Sequence, residues 1–144
     1  MNELLFKANK VYPQLSTHFQ SLIENPESQF AQSTYVTVLP SEDGSLFIEV
    51  FGKTIEISFS MVLSETRDFY GQVTSRLIKK PDSYLTSELN IHSIWFDTLG
   101  NVKKDLSETT SMEHIRDDRF LRGFIEQSLA QLLASEEFQP ASNG

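Results

Sequence analysis

The sequence predicts an α+β fold, an antiparallel β-meander of five or six strands flanked by N-terminal and C-terminal helices. Three observations carry this prediction. From Leu46 to Met61 apolar and polar residues alternate at the period of a strand on either side of a break at Gly52-Lys53. The later strand-like segments follow one another through short, turn-rich connections, which suit antiparallel neighbours and leave no room for parallel crossover units. Apolar residues at helical spacing lie near both ends of the chain.

The hairpin is the most strongly specified element. With Gly52-Lys53 as a two-residue loop, Val50/Ile55, Ile48/Ile57 and Leu46/Phe59 oppose one another on one face. Phe51/Thr54, Glu49/Glu56 and Phe47/Ser58 oppose on the other. A slip of one residue would turn the whole apolar set to the wrong side.

Before the hairpin, Leu15, Phe19, Leu22 and Ile23 form the stripe of a helix from about Pro13 to Glu24. Proline is at home in a first turn and not in a helix interior, which predicts one or two pieces instead of an unbroken rod. Asn25-Pro26 ends the helix, and a first strand follows at about Thr34 to Leu39. Pro40-Ser41-Glu42-Asp43-Gly44 has the composition of a turn.

After the hairpin, Phe69, Gly71, Val73 and Leu77 alternate with Tyr70, Gln72, Thr74 and Arg76, giving a strand over 69–79. Leu89 to Phe96 reads as another, Asp97 to Asn101 as a turn, and Val102 to Leu106 as a short sixth strand. The C-terminal helix is expected to start at Thr110 or Ser111, where Thr110 and Glu113 have capping-box spacing, and to re-initiate near Asp117. Phe120, Leu121, Phe124, Ile125, Leu129, Leu132 and Leu133 form its apolar arc. Gly123 interrupts the arc at about 1 kcal/mol relative to Ala, which suits a close approach by another element. Residues 1–137 form one domain on this reading, and 138–144 a flexible tail.

The 144 residues include no cysteine, which removes disulfides, thiolate metal sites and cysteine nucleophiles together. Asn2 to Val11 carries Glu3, Lys7 and Lys10 and lacks the apolar core of a signal peptide, and no segment approaches ~18 uninterrupted apolar residues. A soluble, cytoplasmic protein with no membrane partner is the expectation. Twenty acids against twelve bases give a net charge of −8. That charge opposes direct nucleic-acid binding and favours a basic protein partner.

Catalytic motifs are missing. There is no phosphate-binding glycine loop, no dinucleotide fingerprint and no Gly-x-Ser-x-Gly elbow. His18, His92 and His114 fall in different elements and form no spaced ligand pair. Glu113-His114 with Asp117 and Asp118 could present carboxylate and imidazole on neighbouring helical turns, but the second histidine of the zinc-protease pattern is absent. Glu49 and Glu56, if opposed across the hairpin, could split their pKa values into an acid and a base; a partly wet face beside Lys53 or Arg76 is the simpler reading. The sequence thus predicts no enzyme, no cofactor and no metal.

The aromatic residues point to binding. Phe47 and Phe51 project with Glu49 and Glu56 from a face that a one-sided sheet would leave polar, and Tyr70, Ile78 and Ile94-Trp95-Phe96 put apolar groups on both sides. Either one helix covers each face, or the second face meets another protein. Phe47, Glu49, Phe51, Glu56 and Tyr70 are the candidate partner-binding residues, for a protein partner or a second copy of the chain. The Lys79-Lys80 and Lys103-Lys104 pairs suit charged guards of edge strands.

The outline of an N-terminal helix, an Asp43-Gly44 turn feeding a hairpin and a C-terminal amphipathic helix is similar to that of the secretion chaperones of bacterial type III systems, over residues 13–80. Those proteins place a helix between their third and fourth strands, which Pro81 to Glu88 is too short and broken to supply, and no functional residue carries over. The resemblance implies a chaperone-like dimer. The principal expectation is a noncatalytic protein-protein interaction module of the inhibitor, immunity or anti-defence kind, with a small hydrolase or lyase using Glu49, Glu56 or His92 in a sheet-lined pocket as the competing class.

Overall fold

A computed structural model describes residues 2–24, 36–40, 44–78, 89–107 and 113–135. Helix α1 (Glu3–Ile23) leads into strands β1 (Val36–Pro40), β2 (Leu46–Val50), β3 (Lys53–Leu63), β4 (Phe69–Ile78), β5 (Leu89–Phe96) and β6 (Val102–Lys103), and helix α2 (Phe120–Leu133) closes the order. The six strands pair in chain order as one antiparallel meander. The proposed tail and the Thr110 cap lie outside the described residues.

The β2–β3 hairpin keeps the predicted faces but moves its loop by one residue. Leu46 pairs with Ile57, Ile48 with Ile55 and Val50 with Lys53, so the loop is Phe51-Gly52 and not Gly52-Lys53. Both loop residues have left-handed backbones, φ 53° at Phe51 and 73° at Gly52, as a type I′ turn demands. The pairing shifts by two residues, which preserves side-chain parity. It also relieves a repulsion: Glu49 lies across from Thr54 and Glu56 across from Phe47, so the two carboxylates do not oppose each other.

Helix α1 is continuous through Pro13, contrary to the expectation of a break. Asn2 Oδ1 caps its start by accepting from the amides of Leu4, at 2.9 Å, and Leu5, at 3.4 Å. Lys7 Nζ, 3.2 Å from both Asp68 Oδ1 and the Arg67 carbonyl oxygen, ties the first turns to the β3–β4 connection. Pro13 and Asn9, the residue whose carbonyl loses its helical donor, are both on the exposed side, where water can replace that bond.

Both helices cover the same sheet face. Phe19 of α1 stacks on Phe59 at 5.6 Å, and Ser128 of α2 bonds Ser75 at 2.8 Å. Phe59 pairs with Val73, two residues from Ser75, so the contacts share one side. The single core formed there includes Leu15, Leu46, Ile57, Phe96, Leu121 and Leu132. The buried hydroxyls are both satisfied: Ser128 Oγ donates to the Phe124 carbonyl at 2.9 Å, and Ser75 Oγ shares its proton between Ser128, at 2.8 Å, and the His92 carbonyl, at 3.4 Å. Helix α2 starts at Phe120, later than its sequence signals suggest, because 113–119 is used in turns that place Ile115 in the core. No helix among the described residues is long and apolar enough to cross a membrane.

Two glycines make opposite demands. The ring of Phe96 lies over Gly71, where an added Cβ would come within 2.2 Å of it. Around Gly123 an added Cβ meets nothing within 4 Å, so the close approach expected there is absent. Gly71→Ala should therefore cost about 1–3 kcal/mol by overpacking. Gly123→Ala should gain about 0.5–1 kcal/mol. Thermal denaturation of the two variants checks both signs.

Candidate functional site

The face opposite the helices is uncovered among the described residues. Cross-strand register sets its side chains in rows. Leu39, Phe47, Glu56, Arg76 and Asn90 run across five strands, and Ser60, Gln72, Trp95 and Lys103 form a parallel row. Between them lie Ser58, Thr74 and Ser93, with a 3.0 Å hydroxyl bond from Thr74 to Ser93. The middle of the face is rich in hydroxyls, and its large apolar groups stand towards the margins.

The five sequence-selected residues divide accordingly. Phe47, Glu49 and Glu56 share the hairpin end of this face, and Phe51 forms the adjoining loop, 46% exposed. Tyr70 pairs with Val62 at the other end of the long β3–β4 ladder, six residues from Arg76 and so about 20 Å away at strand rise. Arg76 ion-pairs with Glu56, so that this carboxylate is held in a partly buried salt bridge and not against Glu49. Leu39, 43% exposed beside Phe47, belongs to the same end and escaped selection because its strand is so short.

A second constellation was invisible in the sequence. His18 of α1 and His114 come together over the Asp97–Asn101 turn, their rings 6.0 Å apart. His18 Nε2 lies 2.9 Å from the Thr98 carbonyl and His114 Nε2 2.7 Å from that of Leu99. A carbonyl only accepts, so both rings carry their proton on Nε2. Both Nδ1 atoms then accept from Arg116, His18 from its Nε at 3.0 Å and His114 from its backbone amide at 3.1 Å. Gly100 fits beneath, its Cβ position 2.6 Å from the His114 ring. With every ring nitrogen engaged, the pair works as a clasp among three segments and not as a ligand set. Among the described residues no group of three or more His, Asp or Glu is placed to hold a metal.

His92 is separate. It packs on Phe124 with ring centroids 5.1 Å apart, and its Nδ1 accepts from Gln131 Nε2 at 3.0 Å. Burial lowers its pKa from the ordinary 6.5, and the Lys104 ammonium pushes the same way.

Comparison with protein-family models, curated proteins and solved structures finds no match for the chain. Fold and surface define a class only: a two-layer α+β meander with both helices on one face and a mixed aromatic and hydroxyl face opposite.

Because folded His92 holds a proton less readily than the unfolded residue, its contribution to stability is full above about pH 6.5 and is lost as pH falls through the lower folded value. Melting temperature should drop between about pH 7 and pH 5, and the drop should be smaller in His92→Gln. Equal pH slopes would refute the assignment.

Proposed function

We propose that this chain is a noncatalytic protein-binding module that engages a partner through the hairpin end of its open sheet face. The observation that carries the reading is Phe51. A bulky aromatic held in a left-handed turn costs roughly 1–2 kcal/mol, and type I′ turns ordinarily put Asn, Asp or Gly at that position. Here the strained residue is also 46% exposed, two positions along the chain from Glu49. Phe51 also makes a contact of its own within the chain, and strain at an aromatic that stays half-exposed supports a binding role beside that contact.

The neighbouring chemistry supports a protein partner. Aromatic anchors ringed by polar groups and a salt bridge are the usual make-up of a non-obligate interface. The net charge of −8 favours a partner with a basic surface, since opposite charge accelerates encounter. An inhibitor or immunity protein that masks such a surface is the form of the reading that this charge favours.

Photo-crosslinking amino acids at positions 47 and 51 test it in the native host, with position 17 on the exposed side of α1 as control. Discrete adducts from 47 and 51 and none from 17 are expected, with capture weakening as salt rises. An adduct of twice the chain mass would assign the surface to self-association, and no adduct at all would refute the reading. Phe51→Asn should raise stability by about 1 kcal/mol while weakening capture, a pairing that thermal melts and adduct yield measure together.

A further inference from the structure

The two edges of the sheet are finished differently. At β6 the outer side is closed: the Val102 amide donates to the Glu113 carbonyl at 3.0 Å, Asn101 bridges to His114, and Lys103 and Lys104 stand at the end of the strand. Strand β1 has no such cover among the described residues. It pairs with β2 alone, and Val36–Pro40 contains no charged residue to guard it. In an antiparallel ladder alternate residues turn their N–H and C=O away from the neighbouring strand. Part of the Val36–Leu39 backbone therefore points outward and meets no strand among the described residues. Pro40 has no amide to offer and ends the stretch.

An added strand satisfies these groups, and the side chains beside them select which strand. Thr37 and Leu39 are exposed on the open face, Thr37 across from Glu49 and Leu39 across from Phe47. Glu49 is exposed, and its carboxylate has no ion pair or hydrogen bond among the described residues. A residue set against Thr37 on a new strand would lie two strand spacings, about 10 Å, from Glu49. An Arg or Lys side chain crosses the short Thr37 to reach that carboxylate. A residue two positions away on the same strand would lie against Leu39 and beside Phe47, where an apolar group fits. A second copy of the chain meets neither condition well, since its own β1 offers no cation and each copy carries a charge of −8.

We propose that the free edge of β1 takes up an extended segment of the protein partner as a seventh strand, with Arg or Lys facing Thr37 and reaching Glu49, and an apolar or aromatic residue facing Leu39. In strand addition of this kind main-chain bonds supply affinity and alternate side chains supply choice. The proposal rests on the hairpin-end reading of the open face and gives the form in which the partner engages it.

The full chain, isotope-labelled, is titrated with three capped peptides: Thr-Val-Arg-Val-Phe-Val-Thr, the same peptide with Glu in place of Arg, and Thr-Val-Arg-Val-Val-Phe-Thr, which puts Arg and Phe on opposite faces. The first should slow amide exchange at alternate positions of 36–39 and bind at least about tenfold tighter than the other two. Thr37→Lys sets a charged guard on an exposed edge position and gives Glu49 a cation of its own, so it should abolish binding with the melting temperature unchanged. Glu49→Lys should reverse the preference between the Arg and Glu peptides. No saturable shift, equal affinity for the three peptides, or binding that leaves exchange at 36–39 unaltered would overturn strand addition. Slowed exchange there in the free chain, with a solution mass of two chains, would overturn it in favour of a second copy. Adducts from positions 47 and 51 alongside any of these failures would leave the hairpin-end surface standing without the added strand.

Discussion

The ring of Phe96 takes the volume that any side chain at residue 71 would need, and several parts of the molecule are arranged around that contact. Phe59 comes within 6.0 Å of Phe96, Phe19 stacks on Phe59, and Tyr12 reaches Phe59 at 5.9 Å. His18 meets the Phe96 ring edge-on at 6.1 Å. Helix α1 is thus seated by aromatic packing on two strands, and the turn that leaves Phe96 is brought under His18. The histidine clasp then fastens the segment leading to α2. A steric demand at one glycine propagates through rings to both helices.

Because both helices use this one face, the other face satisfies a different requirement. An antiparallel sheet can leave one side to water if alternate side chains are polar. Ser58, Ser60, Gln72, Thr74 and Ser93 meet that condition in the middle of the sheet. Larger aromatic and aliphatic groups, Leu39 and Phe47 among them, stand at its margins. The Glu56–Arg76 pair, partly buried at 15% and 32% side-chain exposure, joins β3 to β4 within the hairpin-end group.

Much of the fold was legible because strand alternation is a local signal. The alternation puts one strand over Leu89 to Phe96, as observed in β5, and another over 69–79, where β4 spans Phe69–Ile78. The hairpin shows the limit of that signal. A period of two identifies which residues share a face, but it is blind to a shift of two, so the loop moved to Phe51-Gly52 without disturbing the apolar set. Pro13 misled because its cost falls on a carbonyl facing water. The α2 start misled because Thr110, Glu113 and Asp117 resemble caps whether or not a helix follows. His18 and Arg116 are 98 positions apart, and no periodicity reports a contact formed only by the completed sheet.

The seat of α1 also has a temporal side. In a sheet whose strands pair only with their neighbours in the chain, each hairpin can close soon after it is made, and such local topologies fold quickly. Helix α1 is the exception, since Phe19 is synthesised well before Phe59 and Phe96. At the usual ~5–20 residues per second, the 77 positions from Phe19 to Phe96 take about 4–15 s to translate. Through that interval the stripe of Leu15, Phe19 and Leu22 has no completed sheet to lie on. The ribosome-bound chain is therefore most open to chaperone capture or aggregation before β5 is finished, and the hazard is written into the order of its elements, not into any one of them.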